Sequence, residues 1–206
     1  MAATNDAHAS AITTTIDAVI DVQWSRFGEP GVWMTGAQTV DVLRLALRPD
    51  AANASDDPAS EAASLVAHRA ASTTADSVEQ LESRGLRREH FVEIVGVVSR
   101  GIAIDTYERG IGRTPRDLPT PRPGPPSGDV VAGARRRAGW VPTVGAIGPP
   151  TALDAVPPEA DAQEALHGAL YLSYAEMGDL HAASGLTRAQ MELVAARVSY
   201  LNDCLF

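Results

Sequence analysis

The sequence has no lysine, a single cysteine and few aromatic residues among its 206 positions. One cysteine cannot form a disulfide within the chain, so no structural cross-link is expected. Scarce aromatics and abundant alanine favour a core of small aliphatic side chains on closely packed helices. No segment approaches the roughly 18–20 consecutive apolar residues of a membrane helix, and residues 1–10 lack a secretory signal. We therefore expect a cytoplasmic protein without a membrane-spanning segment.

The charge balance is acidic, with 26 aspartates and glutamates against 17 arginines and a formal net charge of −9. Nucleic acid is not the expected partner, because binding phosphates requires clustered cations. The one basic run, Arg135 to Arg137, is typical of a solvated loop. No glycine-rich loop follows a strand pattern and the histidines lack metal-ligand spacing, so neither a cofactor nor a metal is expected.

Apolar residues recur at helical spacing through most of the chain, which predicts an all-α fold. Two helices should begin at capping boxes of the form Thr-x-Ala-Gln, at residues 35–38 and 187–190. The other predicted helices span residues 7–25, 60–71, 75–84, 88–109 and 159–177. We expect the last helix to turn these side chains inward: Met191, Val194, Ala195, Val198 and Leu201.

The helical period is absent between residues 113 and 158, where eleven of the fourteen prolines lie. This predicts a long irregular connection across the surface, anchored by Trp140 and Val141. A disordered linker between two lobes is the alternative. We therefore expect a single domain over residues 1–206, with helical units at 1–112 and 159–206 on either side of the connection.

The only cysteine, Cys204, follows Glu192 with eleven residues between them. A cysteine reacts as its thiolate, and the pKa of a free cysteine is about 8.5. Asn202 and Asp203 are good helix N-cap residues, which would place Cys204 in a first turn where the helix dipole favours negative charge. Glu192 could accept the thiol proton directly, or through a water or a histidine.

Glu93 and Asp105 repeat the spacing of Glu192 and Cys204. The Thr-x-Ala-Gln sequence also occurs twice. These echoes indicate either duplicated helical units, of which only the last kept a thiol, or chance.

The run into Cys204 resembles the active-site signature of the alkylhydroperoxidase D-like (carboxymuconolactone decarboxylase-like) family. That signature is Glu, eleven residues, Cys, two residues, Cys, three residues, His. The matching residues are Leu186–Arg188, Glu192, Val194–Ser199, Asn202 and Cys204. Other stretches resemble a subgroup, the alkylhydroperoxidase-related proteins, some of which carry selenocysteine at the second redox position. These stretches are Trp33–Ala37, Ala67–Arg69, Glu93–Val98, Ile104–Tyr107, Leu118–Gly124 and Trp140–Pro142.

The resemblance implies a compact helical bundle that forms homo-oligomers and reduces peroxides with electrons from a thiol/disulfide donor. It implies Cys204 as a redox cysteine, Glu192 as its base and His68 as an auxiliary residue. The redox residue that usually attacks the peroxide would follow at position 207, beyond Phe206. We therefore expect little or no turnover from the 206-residue chain, and hypothesise that it is halted at a selenocysteine codon. A fragment cut for another reason, or a degenerate paralogue, is the alternative.

Two other functions stay open at this point. Carboxymuconolactone decarboxylases share the family's fold without a redox pair, so the chain could be an enzyme of that kind. A catalytically inactive helical scaffold that binds partner subunits is the non-enzymatic reading.

Overall fold

The computed structural model describes residues 15–48, 56–145 and 151–202, and these are mostly helical. The all-α prediction is confirmed in that coarse form. The helices in these ranges are α1 (helical at 15–26), α2 (Gly36–Leu47), α3 (Pro58–His68), α4 (Ala75–Ser83), α5 (Arg88–Gly110), α6 (Pro157–Leu170) and α7 (Arg188–Leu201). Strands β1 (Arg135–Arg136) and β2 (Pro142–Thr143) pair antiparallel. No helix in the described part of the chain has the length and apolar character needed to span a bilayer.

The two predicted capping boxes are present at the starts of α2 and α7. The Thr35 hydroxyl accepts from the backbone N–H of Gln38, and the Gln38 side chain accepts from the backbone N–H of Thr35 at 2.9 Å. Thr187 and Gln190 repeat this arrangement at α7. Each box satisfies backbone donors that a helix start leaves unpaired, so short local sequences determine where both helices begin.

The chain divides into two compact units. The larger unit comprises residues 20–163, and the smaller one comprises residues 1–19 together with 164–206. The proline-rich connection thus groups with the helices that precede it. The expectation of a single domain with its three subdivisions stays a prediction.

In the larger unit, α2, α3 and α5 pack against one another around a core of aliphatic side chains. Gly101 of α5 allows close approach, because a Cβ atom there would overlap the side chain of Leu43 on α2. α5 is buried on most sides, through Phe91, Val92, Ile94, Val97, Val98 and Ile104. It is therefore the central helix of the unit.

The proline-rich connection is held along the loop between α1 and α2 by backbone hydrogen bonds. Arg122 N–H donates to the Gly28 carbonyl at 2.7 Å, Ser127 N–H to Gly31 at 3.0 Å and Gly128 N–H to Val32 at 2.8 Å. These bonds support the predicted irregular connection over the disordered linker, for the part of residues 113–158 that the structure describes.

The two predicted anchors of this connection differ. Val141 packs on an apolar cluster formed by Val32, Val92, Leu153, Ala155 and Val156. Trp140 is 44% exposed, so its predicted anchoring role is wrong. The Trp140 main chain is held instead, because its carbonyl accepts a hydrogen bond from the guanidinium of Arg88.

In the smaller unit, α7 differs from the prediction of an inward apolar face. Met191 is buried, whereas Val194, Val198 and Leu201 are more than half exposed. Polar contacts hold the helix start: the Arg188 guanidinium donates to the carbonyls of Asp179 and Met177 at 3.2 Å each. The regular spacing of apolar residues predicted helix α7 correctly. The spacing does not determine whether another element covers the apolar face of α7.

The predicted helix over residues 159–177 is also shorter than expected, since α6 ends at Leu170. Ser173 and Glu176 start a separate turn, because the Glu176 carboxylate accepts from both the backbone N–H and the hydroxyl of Ser173. A 3-10 turn at Glu176–Gly178 follows. This local capping arrangement competes with continuation of the helix.

Candidate functional site

Among the predicted site residues, Cys204 lies outside the described residues, and Glu192 lies on α7 with half of its side chain exposed. The Glu192 carboxylate accepts from Arg188 Nε at 2.6 Å and from the Tyr171 hydroxyl at 3.0 Å. These hydrogen bonds, from Arg188 first and then Tyr171, lower the pKa of Glu192 below its ordinary value. Glu192 is therefore a carboxylate at neutral pH.

His68, the predicted auxiliary residue, is the last residue of α3 in the larger unit. Its Nε2–H donates to the backbone carbonyl of Leu45 at 2.9 Å. Leu45 lies in the last turn of α2, where carbonyls lack intrahelical partners. The observed contact of His68 is thus structural, since it ties the end of α3 to the end of α2.

The larger unit contains a cluster of buried charged residues that the sequence analysis did not assign. Glu93 and Arg100 of α5 are 2% and 1% exposed, and Glu159 of α6 is 5% exposed. Glu93 and Arg100 are seven positions apart, which is two helical turns, so they share one face of α5. Gly96 lies between them on that face. Charged side chains are rarely buried this fully unless they are paired or have a function.

Glu93 is held by the loop that precedes α2. Its carboxylate accepts from the backbone N–H of Val32 at 2.8 Å and of Trp33 at 2.7 Å. Gly31 makes room for it, because a Cβ atom at Gly31 would overlap the carboxylate. Burial raises the pKa of Glu93 to about 7, with a smaller contribution from the charge of Glu159, while the backbone N–H groups act in the opposite direction.

Arg100 links three elements from the centre of α5. Its Nη1 donates to Gln23 of α1 at 2.7 Å, its Nε donates to the Gly96 carbonyl at 3.2 Å and its Nη2 donates to the Glu159 carboxylate. The ring of Phe27 lies 4.9 Å from the guanidinium carbon. Arg100 and Glu159 therefore balance each other's charge inside the unit.

A cavity of about 340 Å³ opens onto these side chains. Its walls include Arg26, Phe27, Thr39, Val97 and Ser127, in addition to Glu93, Arg100 and Glu159. Arg26 is partly exposed, and its guanidinium lies 4.0 Å from Glu159. The cavity thus combines an acid that titrates near neutral pH with cationic groups, the features expected of a binding or acid–base site.

The sequence carried a signal for this site. Glu93 lies between Val92 and Ile94 in an otherwise apolar part of α5, and Arg100 follows in the same helix. A helix that is apolar on most sides buries any charge within it, and a buried charge requires a partner. From the sequence, Glu93 was noted for its spacing to Asp105 and as the first residue of the stretch Glu93–Val98, and not as a buried charge. Glu159, which comes from a distant segment, carries no comparable signal.

No group of three or more His, Cys, Asp or Glu within the described ranges is arranged to hold a metal ion. Comparisons with protein-family models, curated proteins and solved structures find no match to this chain. Function is therefore inferred from the residues themselves and from the resemblance of the run into Cys204.

Proposed function

We propose that the chain is an oxidoreductase related to the alkylhydroperoxidase D-like peroxidases, with a helical bundle of that type. Residues 186–204 carry the proposal, since they resemble the run into the family's redox cysteine and place Glu192 eleven residues before Cys204. The helical fold and the capped start of α7 at Thr187 support it. The reaction is the thiol- or selenol-dependent reduction of a peroxide.

In this reaction a thiolate attacks one oxygen of the peroxide bond. The O–O bond breaks, an alcohol or water leaves after taking a proton, and the thiol is oxidised to a sulfenic acid. A second thiol or selenol condenses with the sulfenic acid and releases water. A dithiol donor then reduces the resulting bond and becomes a disulfide.

Glu192 is the proposed proton acceptor for the thiol. Its hydrogen bonds with Arg188 and Tyr171 keep it in the base form at neutral pH. The same bonds make it a weak base, because a lowered pKa reduces the driving force for taking up a proton. Glu192→Gln should therefore slow oxidation of Cys204 by about tenfold at most, below the usual range for general-base residues.

The test is peroxide-dependent sulfenic acid formation at Cys204, detected by a sulfenate-specific label and mass spectrometry. We expect one label per chain in the folded protein, no label in Cys204→Ser, and little catalytic turnover. The unfolded chain is the reference, because its rate of reaction with hydrogen peroxide is that of a cysteine that no neighbouring group activates. In the 206-residue chain, Cys204 is the thiol proposed to attack the peroxide. If it reacts with hydrogen peroxide no faster in the folded chain than in the unfolded one, the peroxidase proposal is wrong.

We also propose that the protein is a cytoplasmic homo-oligomer. The proposal of a homo-oligomer is supported by the exposed apolar face of α7, which includes Leu193, Val194, Val198 and Leu201. Apolar side chains grouped in this way on a surface are typical of an interface. A second copy of the chain is the proposed partner for this face.

A further inference from the structure

The charges that face the cavity of the larger unit are not all balanced within it. Arg100 is paired with Glu159, and Glu29 at the cavity wall is paired with Arg122 at 2.9 Å. The nearest ion-pair contact of Arg26 among the described residues is the 4.0 Å approach to Glu159, which already binds Arg100. Arg26 therefore has hydrogen-bonding capacity that faces the cavity.

The protonation state of Glu93 determines the net charge of the cavity side chains other than Glu29, which is paired with Arg122. With Glu93 neutral, Arg26 and Arg100 carry two positive charges against one negative charge on Glu159. With Glu93 ionised, the charges cancel. An anion in the cavity is therefore favoured when Glu93 holds a proton and disfavoured when it does not.

The rest of the cavity restricts which anion fits. Phe27, Pro30, Val32 and Val97 supply apolar walls, and the volume of about 340 Å³ is in the range of small-molecule sites. The planar fork of an arginine matches a carboxylate group. A doubly charged anion such as sulfate would be repelled by the carboxylates of Glu29 and Glu159 at the cavity wall.

We propose that this cavity binds a small organic carboxylate with an apolar body, held at its charged end by Arg26, and that its uptake is coupled to protonation of Glu93. Burial raises the pKa of Glu93 to about 7, so the coupling falls in the neutral range. The proposal does not depend on Cys204 or on peroxide chemistry.

Benzoate is the probe, with binding measured by calorimetry from pH 6 to 8 in two buffers of different ionisation enthalpy. We expect benzoate binding at pH 6 that weakens by about tenfold per pH unit above 7, with uptake of close to one proton at pH 8. Glu93→Gln replaces the carboxyl group with an amide of about the same size that is uncharged at every pH from 6 to 8. It should bind benzoate without pH dependence and without proton uptake.

Arg26→Gln should weaken benzoate binding by about tenfold or more, because a charge-assisted hydrogen bond is lost. Arg44→Gln is the matched control, since it removes an arginine from a surface pair with Asp41. It should bind benzoate as the unmodified chain does. Arg26 is partly exposed, so its variant keeps the test valid even if Glu93→Gln does not fold.

Three results would overturn the proposal: no benzoate binding by the unmodified chain, equal binding by Arg26→Gln, or sulfate binding as tight as that of benzoate. Cys204→Ser separates the two proposals. It should abolish sulfenate labelling and leave benzoate binding unchanged, so either proposal can fail without the other.

Discussion

Gly96 lies directly against the side chain of Glu159: a Cβ atom at Gly96 would overlap the Glu159 carboxylate and approach its Cβ. The next turn of α5 places Arg100, the partner of the same carboxylate. The absence of a side chain at Gly96 therefore lets α6 bring Glu159 close to α5 and into contact with Arg100.

Gly96→Ala should destabilise the protein, although alanine is the better helix former. The gain in helix propensity is about 1 kcal/mol, and overpacking a filled site costs about 1–3 kcal/mol. We expect a net loss of about 1 kcal/mol in the free energy of unfolding, measured with urea. Gly110→Ala is the control, because a Cβ atom there meets nothing within 4 Å. Equal effects of the two substitutions would contradict this account of Gly96.

Stability should fall with rising pH because of Glu93. Its pKa is raised from 4.5 to about 7 in the folded protein, so the folded state holds the proton more tightly than the unfolded state. This contribution is complete below pH 4.5 and is lost as the pH rises through 7. The loss is on the order of 3 kcal/mol. The other charged residues that line the cavity with Glu93 are Arg26, Glu29, Arg100 and Glu159.

The substitution Glu93→Gln separates the contribution of Glu93 to the pH dependence of stability from that of all other groups. The unmodified chain should lose stability relative to Glu93→Gln between pH 5 and 8 in urea unfolding. His90, whose pKa is lowered by burial, titrates in both proteins and cancels in the difference. A difference between the two proteins that is the same at pH 5 and pH 8 would show that Glu93 does not hold its proton in the folded state.

Local sequence predicted the parts of the fold that depend on local interactions. The capping boxes at Thr35 and Thr187 were found from four residues each, because donor and acceptor lie three positions apart. Gly85, two residues after the end of α4, adopts a φ of +99°, a backbone conformation that favours glycine and that its residue type alone indicates. Each of these features is complete within one turn of the chain.

The cavity could not be predicted in the same way. It brings together α1, α5 and the start of α6, and Arg100 and Glu159 are separated by 59 positions. The burial of Glu93 could have been predicted from the apolar residues around it in the sequence. Its partners could not, because Val32 and Trp33 bind it through backbone N–H groups, which every residue except proline has. The prediction that the apolar face of α7 is buried differs from the structure for a related reason. Periodicity predicts that a helix has an apolar face, but it does not predict which element covers that face.

The exposed face of α7 should mediate self-association if the protein is a homo-oligomer. Leu193→Ser with Val198→Ser reduces the apolar surface while keeping the helix start at Thr187. We expect the mass measured by light scattering to fall towards that of a single chain of 21.6 kDa. Val22→Ser, at an exposed position of α1, is the control and should leave the mass unchanged. A monomeric unmodified chain would contradict the proposed assembly.

The proline-rich connection should depend on Arg116 more than on its other arginines. Arg116 Nε donates to Glu108, which is 3% exposed, at 2.7 Å, and its Nη1 donates to Asp21 at 2.8 Å. In Arg116→Gln the nearest ion-pair partner of the Glu108 carboxylate, among the residues that the structure describes, is the Arg113 guanidinium at 3.7 Å. We expect a loss of about 1–3 kcal/mol in the free energy of unfolding, since a buried carboxylate loses its closest charge-assisted bond.

Limited proteolysis provides the second measurement for Arg116→Gln, because release of the connection should increase cleavage within residues 111–145. Arg122→Gln is the matched control in the same segment. Its pair with Glu29 is exposed on both sides, and such pairs contribute between about 0 and 1 kcal/mol. If both variants are cleaved at the same rate, the backbone hydrogen bonds to Gly28, Gly31 and Val32 hold the connection without help from Arg116. Faster cleavage of Arg116→Gln alone would show that Arg116 holds the connection through its bonds to Glu108 and Asp21.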